Sequence, residues 1–324
     1  MTRLVAIDIG GTHARFALAQ IAPDNAIALE DVQTLHSHDF PSLESAWNEF
    51  AARVGGALPP AAAIAVAATV NADEIRLTNN PWVIRRSELK QALGVGRVTL
   101  VNDFAAVAHA VARLDERDFQ YLAGPDKAIG SEGTISVLGP GTGLGVAHLW
   151  RGEGGTYRVQ ATEGGHIDFA PLDAIEDAIL AKLRTKYSRV SAERVASGPA
   201  IVDIYETLAD LEGRRVAKSD DVTIWSQGMS GNDDLAAVAI DRFCLSLGSI
   251  AGDIALAQGG FSGVVIAGGL GYRLRDVLPK SGFAERFCAK GRFAPLMASI
   301  PVRLVIHPQP GLLGAAAAFA FEHL

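Results

Sequence analysis

The chain has 324 residues, 49% of them hydrophobic and 20% charged, and a formal net charge of -7 at pH 7. This length favours two domains, and the apolar fraction can fill large cores, which argues against disorder. The negative charge, without a block of five like charges, argues against nucleic acid or an anionic membrane as a partner. A phosphate ligand would therefore be held by local dipoles, backbone N–H groups and a metal ion.

The sequence shows no feature of export or membrane insertion. The N-terminus begins with strand-forming residues and lacks the charged and apolar regions of a signal peptide. The most apolar run, residues 59–70, is shorter than the roughly 20 residues that a membrane span needs. The two cysteines, Cys244 and Cys288, match no metal-binding spacing and no disulfide framework. We expect a cytoplasmic protein with buried or half-buried thiols and no membrane contact.

The first part of the chain begins with a predicted β-hairpin. Residues 4–9 form an apolar strand, Gly10-Gly11-Thr12 a tight turn, and residues 14–19 an alternating return strand. Further along, we predict a buried strand or strand pair at 61–70, its sheet continued at 74–78, a helix at 88–93 between Ser87 as N-cap and Gly94 at C′, a strand at 98–101 and a helix from Asp103 to about 114.

The second part repeats the hairpin pattern between residues 134 and 149, with a turn at 139–143. After it we predict a helix with Pro199 at its first position and Gly213 at C′. A long helix at 233–258 carries Gly248 and Gly252, where another element could pack closely. The remaining predicted elements are strands at 264–267 and 302–306 and a helix at 311–323.

The two glycine turns are the first candidate site. Glycines permit positive φ and close backbone approach, and such a turn can aim several N–H donors at one anion. Thr12 and Thr142 would add a hydroxyl donor to each turn. An ordinary hairpin turn is the alternative, but Asp8, an ionisable residue ending an apolar strand, favours a functional reading. Two such turns suggest that a phosphate chain is held from both sides.

Asn102 and Asp103 follow a predicted strand and open a predicted helix. Ligands bind at that position in α/β sheets, although a simple helix cap would use the same residue types. The helix dipole would keep Asp103 ionised, which suits it to accept a hydrogen bond or a proton from a substrate hydroxyl.

A third candidate site combines Glu163-Gly164-Gly165-His166 with Glu193. Two glycines between a carboxylate and an imidazole favour a turn that presents both side chains to one small polar ligand. A metal site is the alternative, but no further His or Cys cluster lies nearby in the sequence. A surface position is the alternative for Glu193. Carboxylates, an amide and an imidazole together favour a ligand rich in hydroxyl groups, since each hydroxyl needs a donor and an acceptor.

These motifs follow one another in a recognisable order. They are residues 6–12, 101–104, 139–145, 163–169, 193–199 and 310–314. Their order resembles that of the bacterial ATP-dependent glucokinases of the hexokinase, actin and Hsp70 superfamily, from residue 4 to about residue 321. The first glycine turn is widespread in that superfamily, whereas its combination with the Glu163–His166 segment and the Glu193 segment is much more specific.

The resemblance implies an α/β, two-domain actin-like ATPase (ribonuclease H-like) fold with an interdomain cleft. Residues 1–109 and 308–324 would form the small domain, and residues 110–307 the large one. The activity implied is transfer of the γ-phosphoryl group of ATP to the 6-hydroxyl of glucose, with Mg2+ as cofactor. The family also implies a homodimer.

Carried over residue by residue, the resemblance makes Asp103 the catalytic base and a substrate contact. The other hydroxyls of the sugar would be bound by Asn102, Glu163, His166 and Glu193. The phosphates would lie at Gly10, Gly11 and Thr12 in one turn and at Gly141, Thr142 and Gly143 in the other. Gly268, Gly269 and Gly311 would border the adenosine, and Asp8 would organise Mg2+ through water.

One position departs from the pattern of the resemblance. His13 stands where many similar glucokinases have asparagine, so nucleotide affinity could vary with pH. A kinase for another hexose and a non-catalytic sugar-sensing regulator remain as alternatives. Against the regulator, the chain has neither a Cys-rich zinc motif nor room before Asp8 for a DNA-binding module.

Overall fold

The structure is a computed structural model that describes residues 1–77 and 80–324. Its contacts divide the chain into two compact units. The first unit is Met1–Asp115 with His307–Leu324, and the second unit is Glu116–Ile306. The domain boundaries expected from the sequence stay a prediction, because contacts alone do not test independent folding.

Each unit is built on a main β-sheet. In chain order the strands are β1 (Thr2–Ile9), β2 (His13–Ile21), β3 (Ile27–His36), β4 (Ala61–Val66), β5 (Glu74–Arg76), β6 (Val83–Arg85), β7 (Arg97–Asn102), β8 (Phe119–Ala123), β9 (Gly133–Pro140), β10 (Leu144–Arg151), β11 (Tyr157–Thr162), β12 (Gly263–Ile266) and β13 (Val302–Val305).

The helices pack on these strands. In chain order they are α1 (Leu43–Arg53), α2 (Leu89–Ala92), α3 (Asp103–Val111), α4 (Ala174–Lys186), α5 (Ala200–Leu211), α6 (Asp221–Ser230), α7 (Asp234–Gln258), α8 (Gly268–Arg273), α9 (Phe283–Cys288), α10 (Ala294–Ala298) and α11 (Pro310–His323).

The two units repeat one sheet topology. The first unit has the strand order β3-β2-β1-β4-β7, and the second has β11-β10-β9-β12-β13 with β8 added at its edge. In each sheet the first three strands of this order are antiparallel and the next two run parallel to the third. Each glycine turn joins the central strand of its sheet to the strand beside it. The duplication seen in the turns therefore extends to the whole sheet.

Strand periodicity decides which residues of β1 enter which core. Side chains alternate between the faces of a strand, so Leu4 and Ala6 join the core under Phe319 of α11. Val5 and Ile7 join the opposite core, which is closed by α1. Helices α3 and α11 approach closely, because a Cβ added at Gly314 would lie 1.8 Å from the carbonyl oxygen of Ala106. The central strand of this sheet is therefore covered on both faces, as its continuous apolar sequence predicts.

The long helix α7 packs closely against α9 in the second unit. A Cβ added at Gly248 would lie 2.3 Å from the carbonyl oxygen of Phe283, and one at Gly252 would lie 2.6 Å from that of Phe287. The predicted close packing at these glycines is confirmed. Among the described helices, α7 alone has the length and apolar composition of a membrane span, and most of it is buried within the unit, as in a core helix. Of the two thiols, Cys244 is buried and Cys288 half-buried.

Three local predictions are wrong. β5 pairs with β6 in a separate two-stranded sheet instead of continuing the main one, and Thr78, also assigned to it, lies outside the described residues. Ser87 does not cap α2, because its N–H and hydroxyl groups both bind the carboxylate of Asp73. Pro199 stands one residue before α5 begins, whereas Gly94 and Gly213 have the positive φ expected at C′.

Candidate active site

The first glycine turn places a charged pair at the end of β1. Asp8 and Arg15 face each other across the β1–β2 ladder, and Arg15 Nη1 lies 3.1 Å from Asp8 Oδ2. Burial raises the pKa of Asp8 above its ordinary value, and the Arg15 guanidinium opposes this shift. Asp8 is therefore a carboxylate whose ionised form needs a nearby cation.

The N-terminus of α11 lies against Asp8. A Cβ added at Gly311 would be 2.6 Å from Asp8 Oδ2, so only glycine leaves room for the carboxylate in this position. The first turn of a helix carries partial positive charge, which favours an ionised carboxylate. Gly311 thus belongs to the surroundings of Asp8 in the first unit, and its predicted contact with adenosine stays a prediction.

The turn itself is closed by backbone and amide hydrogen bonds. The N–H of Gly10 donates to the carbonyl of His13 at 2.9 Å, and the side-chain amide of Asn80 donates to the carbonyl of Gly10 at 3.0 Å. Sequence reasoning missed Asn80, because no local signal links a loop residue to a turn 70 positions earlier. Of the two properties that glycine permits, positive φ is not used at Gly10, nor at Gly141 and Gly143 of the other turn.

Two histidines stand beside this turn. Thr12 Oγ1 lies 2.8 Å from His13 Nδ1, and the rings of His13 and His36 have centroids 4.5 Å apart. Burial lowers the pKa of His13 below its ordinary value of 6.5, and the neighbouring His36 and Arg15 lower it further. The Thr12 hydroxyl thus has an ionisable neighbour on the same turn.

Asn102 and Asp103 form the junction of β7 with α3, as predicted. The side-chain oxygen of Asn102 accepts the N–H groups of Phe104 and Ala105, both at 3.0 Å, so Asn102 is the N-cap of the helix. Its side-chain nitrogen donates to the carbonyl of Ala68 at 3.2 Å. Asp103 occupies the first helical position, where Oδ1 accepts the N–H of Phe104 at 2.8 Å. Asn102 therefore acts as a helix cap, which was the simple alternative to a ligand-binding role.

The second glycine turn is held by other backbone segments. The N–H of Gly141 donates to the carbonyl of Gly143 at 2.8 Å, and Gly198 donates to the carbonyl of Gly141 at 2.7 Å. The N–H of Leu144 donates to Glu193 Oε2 at 3.0 Å. Gly268 has φ of 87°, and a Cβ there would lie 3.2 Å from the carbonyl oxygen of Pro140. Thr142 and Gly269 are exposed.

The Glu163–His166 segment forms a tight turn beside this second glycine turn. The N–H of His166 donates to the carbonyl of Glu163 at 2.9 Å. A Cβ added at Gly165 would lie 2.1 Å from the carbonyl oxygen of Leu144, so this glycine is required by close backbone approach. The sequence predicted a turn here, and the structure adds the reason for one of its glycines.

A short antiparallel pairing connects this turn to the Glu193 segment. Residues 167–169 pair with 190–192 through backbone hydrogen bonds of 2.8 Å and 3.0 Å. Arg189 strengthens the pairing, because its guanidinium donates to the carbonyl of His166 and to Asp168 Oδ1, both at 2.6 Å. Arg194 lies 4.0 Å over the ring of Tyr187. The second unit thus brings the segments of Glu163, His166 and Glu193 together with the glycine turn.

The described part of the chain has no ready-made metal-binding cluster. Within residues 1–77 and 80–324, no group of three or more His, Cys, Asp or Glu side chains could hold a metal ion by itself. Asp8 offers a single carboxylate. Mg2+ is often bound through one or two carboxylates together with water and substrate phosphates, so a single carboxylate fits this ion.

The fold and its two glycine turns define the class of protein. The crystal structure of a glucokinase from an Antarctic psychrotroph superposes with a TM-score of 0.85 and 35% identity, covering 99% of both chains. The glucokinase of Balamuthia mandrillaris shares the fold with a TM-score of 0.77 and 21% identity, over 98% of this chain and 93% of that one. The predicted fold class, an α/β two-domain actin-like fold, is confirmed.

Sequence comparison identifies the family. Residues 4–322 match the family model described as glucokinase. A glucokinase of Zymomonas mobilis subsp. mobilis is 54% identical over 320 residues, which are 99% of this chain and 98% of the relative. A glucokinase of Caulobacter vibrioides is 40% identical over 97% of this chain and 94% of its own length. The chain belongs to the glucokinase family, as its motifs predicted.

Proposed function

We propose that this protein is a glucokinase that transfers the γ-phosphoryl group of ATP to the 6-hydroxyl of D-glucose, giving glucose 6-phosphate and ADP. The observation that carries the proposal is the joining of three segments in the second unit. Glu163 and His166 lie on a turn that packs against Leu144, and Glu193 binds the same residue. Groups suited to sugar hydroxyls thus share one framework with a turn suited to phosphate. The relative that is 54% identical is also named a glucokinase.

Asp103 is the proposed catalytic base. A sugar hydroxyl is a weak acid, and phosphoryl transfer passes through a loose transition state in which positioning and charge neutralisation matter most. Asp103 needs only to orient the 6-hydroxyl in line with the phosphoryl group and to accept its proton late. The start of α3 suits this role, because the helix dipole favours a carboxylate there.

The remaining hydroxyls of glucose are assigned to Asn102, Glu163, His166 and Glu193. Carboxylates accept hydrogen bonds from hydroxyl groups, and amide and imidazole N–H groups donate them. The helix-capping bonds of Asn102 use its oxygen, so its amide nitrogen is the group proposed to serve the sugar. That nitrogen has two hydrogens, of which one binds Ala68.

The phosphates of ATP are assigned to the two turns, at Gly10, Gly11 and Thr12 and at Gly141, Thr142 and Gly143. Adenosine is assigned to Gly268, Gly269 and Gly311. Asp8 is assigned to Mg2+ through water, since burial disfavours its ionised form and a divalent cation would restore it. When bound, Mg2+ neutralises charge on the β- and γ-phosphates.

A coupled assay with a panel of hexoses and phosphoryl donors tests the substrates. We expect glucose with ATP to give the highest kcat/KM, while a preference for another hexose would favour the alternative kinase. Asp103→Asn should lower kcat by about two or more decades and leave glucose affinity within about threefold, the usual scale for a general base. Near-normal turnover would contradict this role of Asp103, and absence of turnover in the wild type would favour the sugar-sensing alternative.

The homodimer implied by the family is part of the same proposal. Light scattering of the purified protein, at several concentrations, measures its mass in solution. A mass near twice the 34.0 kDa of one chain would support the dimer, and a mass of one chain would contradict it.

A further inference from the structure

We infer that Glu193 is a positioning residue for the second glycine turn, so that it supports nucleotide binding as well as the sugar contact assigned to it. The inference rests on the proposed function, which makes this turn a phosphate site. It depends on one contact of the Glu193 carboxylate, the hydrogen bond that Oε2 accepts from the N–H of Leu144 in the turn.

The bond to Oε2 holds one particular peptide group. The carbonyl of Gly143 and the N–H of Leu144 belong to the same planar peptide unit. The carbonyl accepts the N–H of Gly141 at 2.8 Å, and the N–H donates to Glu193 Oε2 at 3.0 Å. Both ends of this peptide are therefore bound, and its orientation sets the direction of the neighbouring N–H groups of the turn.

Gly143 leaves the room that this contact needs. A Cβ added at Gly143 would lie 2.4 Å from Glu193 Oε2 and 3.2 Å from its Cδ. A side chain at this position would therefore displace the carboxylate from the turn. The glycine at 143 is explained by the approach of Glu193, since its backbone does not need positive φ.

The segment that follows Glu193 holds the other side of the turn. The N–H of Gly198 donates to the carbonyl of Gly141 at 2.7 Å, and the carbonyl of Gly198 accepts the indole N–H of Trp225 at 2.9 Å. Trp225 is buried, so this side of the turn is anchored to the core of the second unit. Glu193 binds the turn itself through the N–H of Leu144, and that bond is charge-assisted.

Nucleotide binding without sugar distinguishes this role from a sugar contact alone. Glu193→Ala removes the acceptor for Leu144, and its affinity for the non-hydrolysable analogue AMPPNP with Mg2+, measured by calorimetry without sugar, should fall about tenfold, as a lost bond to a charged group implies. Glu193→Gln keeps an oxygen for Leu144 and should stay within about threefold of the wild type. Glu193→Asp keeps the charge on a shorter side chain and should resemble the alanine variant, which provides a second test if Glu193→Ala does not fold.

Glu163→Ala is the matched control, because Glu163 is assigned to the sugar and has no side-chain bond to the turn. It should weaken glucose binding while AMPPNP binding stays within about threefold. Wild-type AMPPNP affinity in Glu193→Ala and Glu193→Asp would overturn the inference, as would an equal loss in Glu163→Ala. A wild-type chain that binds AMPPNP but phosphorylates no glucose would overturn the proposed function alone, and one that binds no AMPPNP would overturn both.

Discussion

The two glycine turns occupy equivalent places in their sheets and are held in different ways. Side chains surround the first turn: Asp8 pairs with Arg15, Asn80 binds the carbonyl of Gly10, and His13 contacts Thr12. Backbone groups and glycines surround the second, where Glu193 is the only side chain that hydrogen-bonds residues 141–144 among those described.

The same turn, at the same place in the sheet, can therefore be stabilised either by side-chain contacts or by backbone contacts. Ionisable side chains make the first turn sensitive to charge and pH, because each of them responds to its neighbours. Close backbone contacts make the surroundings of the second turn sensitive to volume where a glycine faces a carbonyl, as Gly165 faces that of Leu144. Added volume at such a contact should therefore act through stability, whereas changes beside the first turn should act through Asp8 and its charged neighbours.

The largest expected effect is at Gly165. Gly165→Ala would place Cβ 2.1 Å from the carbonyl oxygen of Leu144, so the Glu163–His166 turn and the glycine turn must separate. We expect a loss of about 3 kcal/mol and a melting temperature lower by roughly 5–10 °C, the scale of severe overpacking. Differential scanning calorimetry measures the change.

Gly141→Ala is the control, since no atom lies within 4 Å of a Cβ there. Its melting temperature should stay within about 2 °C of the wild type. Equal stability of Gly165→Ala and the wild type would show that the second turn tolerates added volume and would break the contrast between the turns.

A smaller effect is expected at Gly311, beside the first turn. In Gly311→Ala the added Cβ would lie 2.6 Å from Asp8 Oδ2, so the carboxylate must rotate away from its present position. We expect kcat to fall about tenfold with little change in melting temperature, because a side chain can move and alanine favours the helix. Steady-state kinetics at saturating substrates measures the change.

Gly314→Ala provides the comparison on the same helix. Its Cβ would meet the backbone carbonyl of Ala106 at 1.8 Å, and its three nearest atoms all belong to Ala106, so it should lower the melting temperature instead of acting through the carboxylate. If Gly311→Ala keeps full activity, the assignment of Asp8 to the nucleotide and Mg2+ is wrong.

The smallest effect concerns His13. Burial, His36 and Arg15 lower the pKa of His13, so its ring takes up a proton at a lower pH than a free imidazole does. That proton adds positive charge beside the phosphate turn, so AMPPNP affinity should rise about two- to fivefold more in the wild type than in His13→Asn between about pH 8 and about pH 5.5. Calorimetry on both proteins cancels the titration of the nucleotide itself, and parallel pH profiles would contradict the prediction.

The lowered pKa of His13 also makes the stability of the fold depend on pH. Because the folded pKa of His13 is lowered, the unfolded chain takes up the proton first as the pH falls below 6.5. The wild type should therefore lose stability over the range between pH 6.5 and the lower folded pKa, and His13→Asn should lose less. Urea denaturation at several pH values measures this difference.

Particular residues show how much the sequence predicted. The correct predictions each depend on a local pattern or on an ordered set of motifs. They are both hairpins, the β7–α3 junction with Asn102 and Asp103, the close contacts at Gly248 and Gly252, and the family. The functions assigned to the individual site residues stay predictions until the variants are measured.

Other features could not be read from the chain. The hydroxyl of Ser87 binds Asp73, so Ser87 does not cap α2. β5 pairs with β6 instead of joining the main sheet. The side-chain amide of Asn80 binds the carbonyl of Gly10, and the backbone of Gly311 lies against the Asp8 carboxylate. Each of these depends on a partner outside the segment itself, from the next strand in the case of β5 to the other end of the chain in the case of Asp8, and local propensity contains no information about such partners.

The sequence by itself determined the positions of the two glycine turns and the residue types near them. It could do so because strand periodicity and glycine spacing are local properties. Only the tertiary structure decided why the glycines are there. Gly143, Gly165 and Gly311 do not provide positive φ; they make room for Glu193, the Leu144 carbonyl and Asp8. Steric contact between distant segments is a property of the packed chain, and it assigns each glycine a partner that its own sequence neighbours do not reveal.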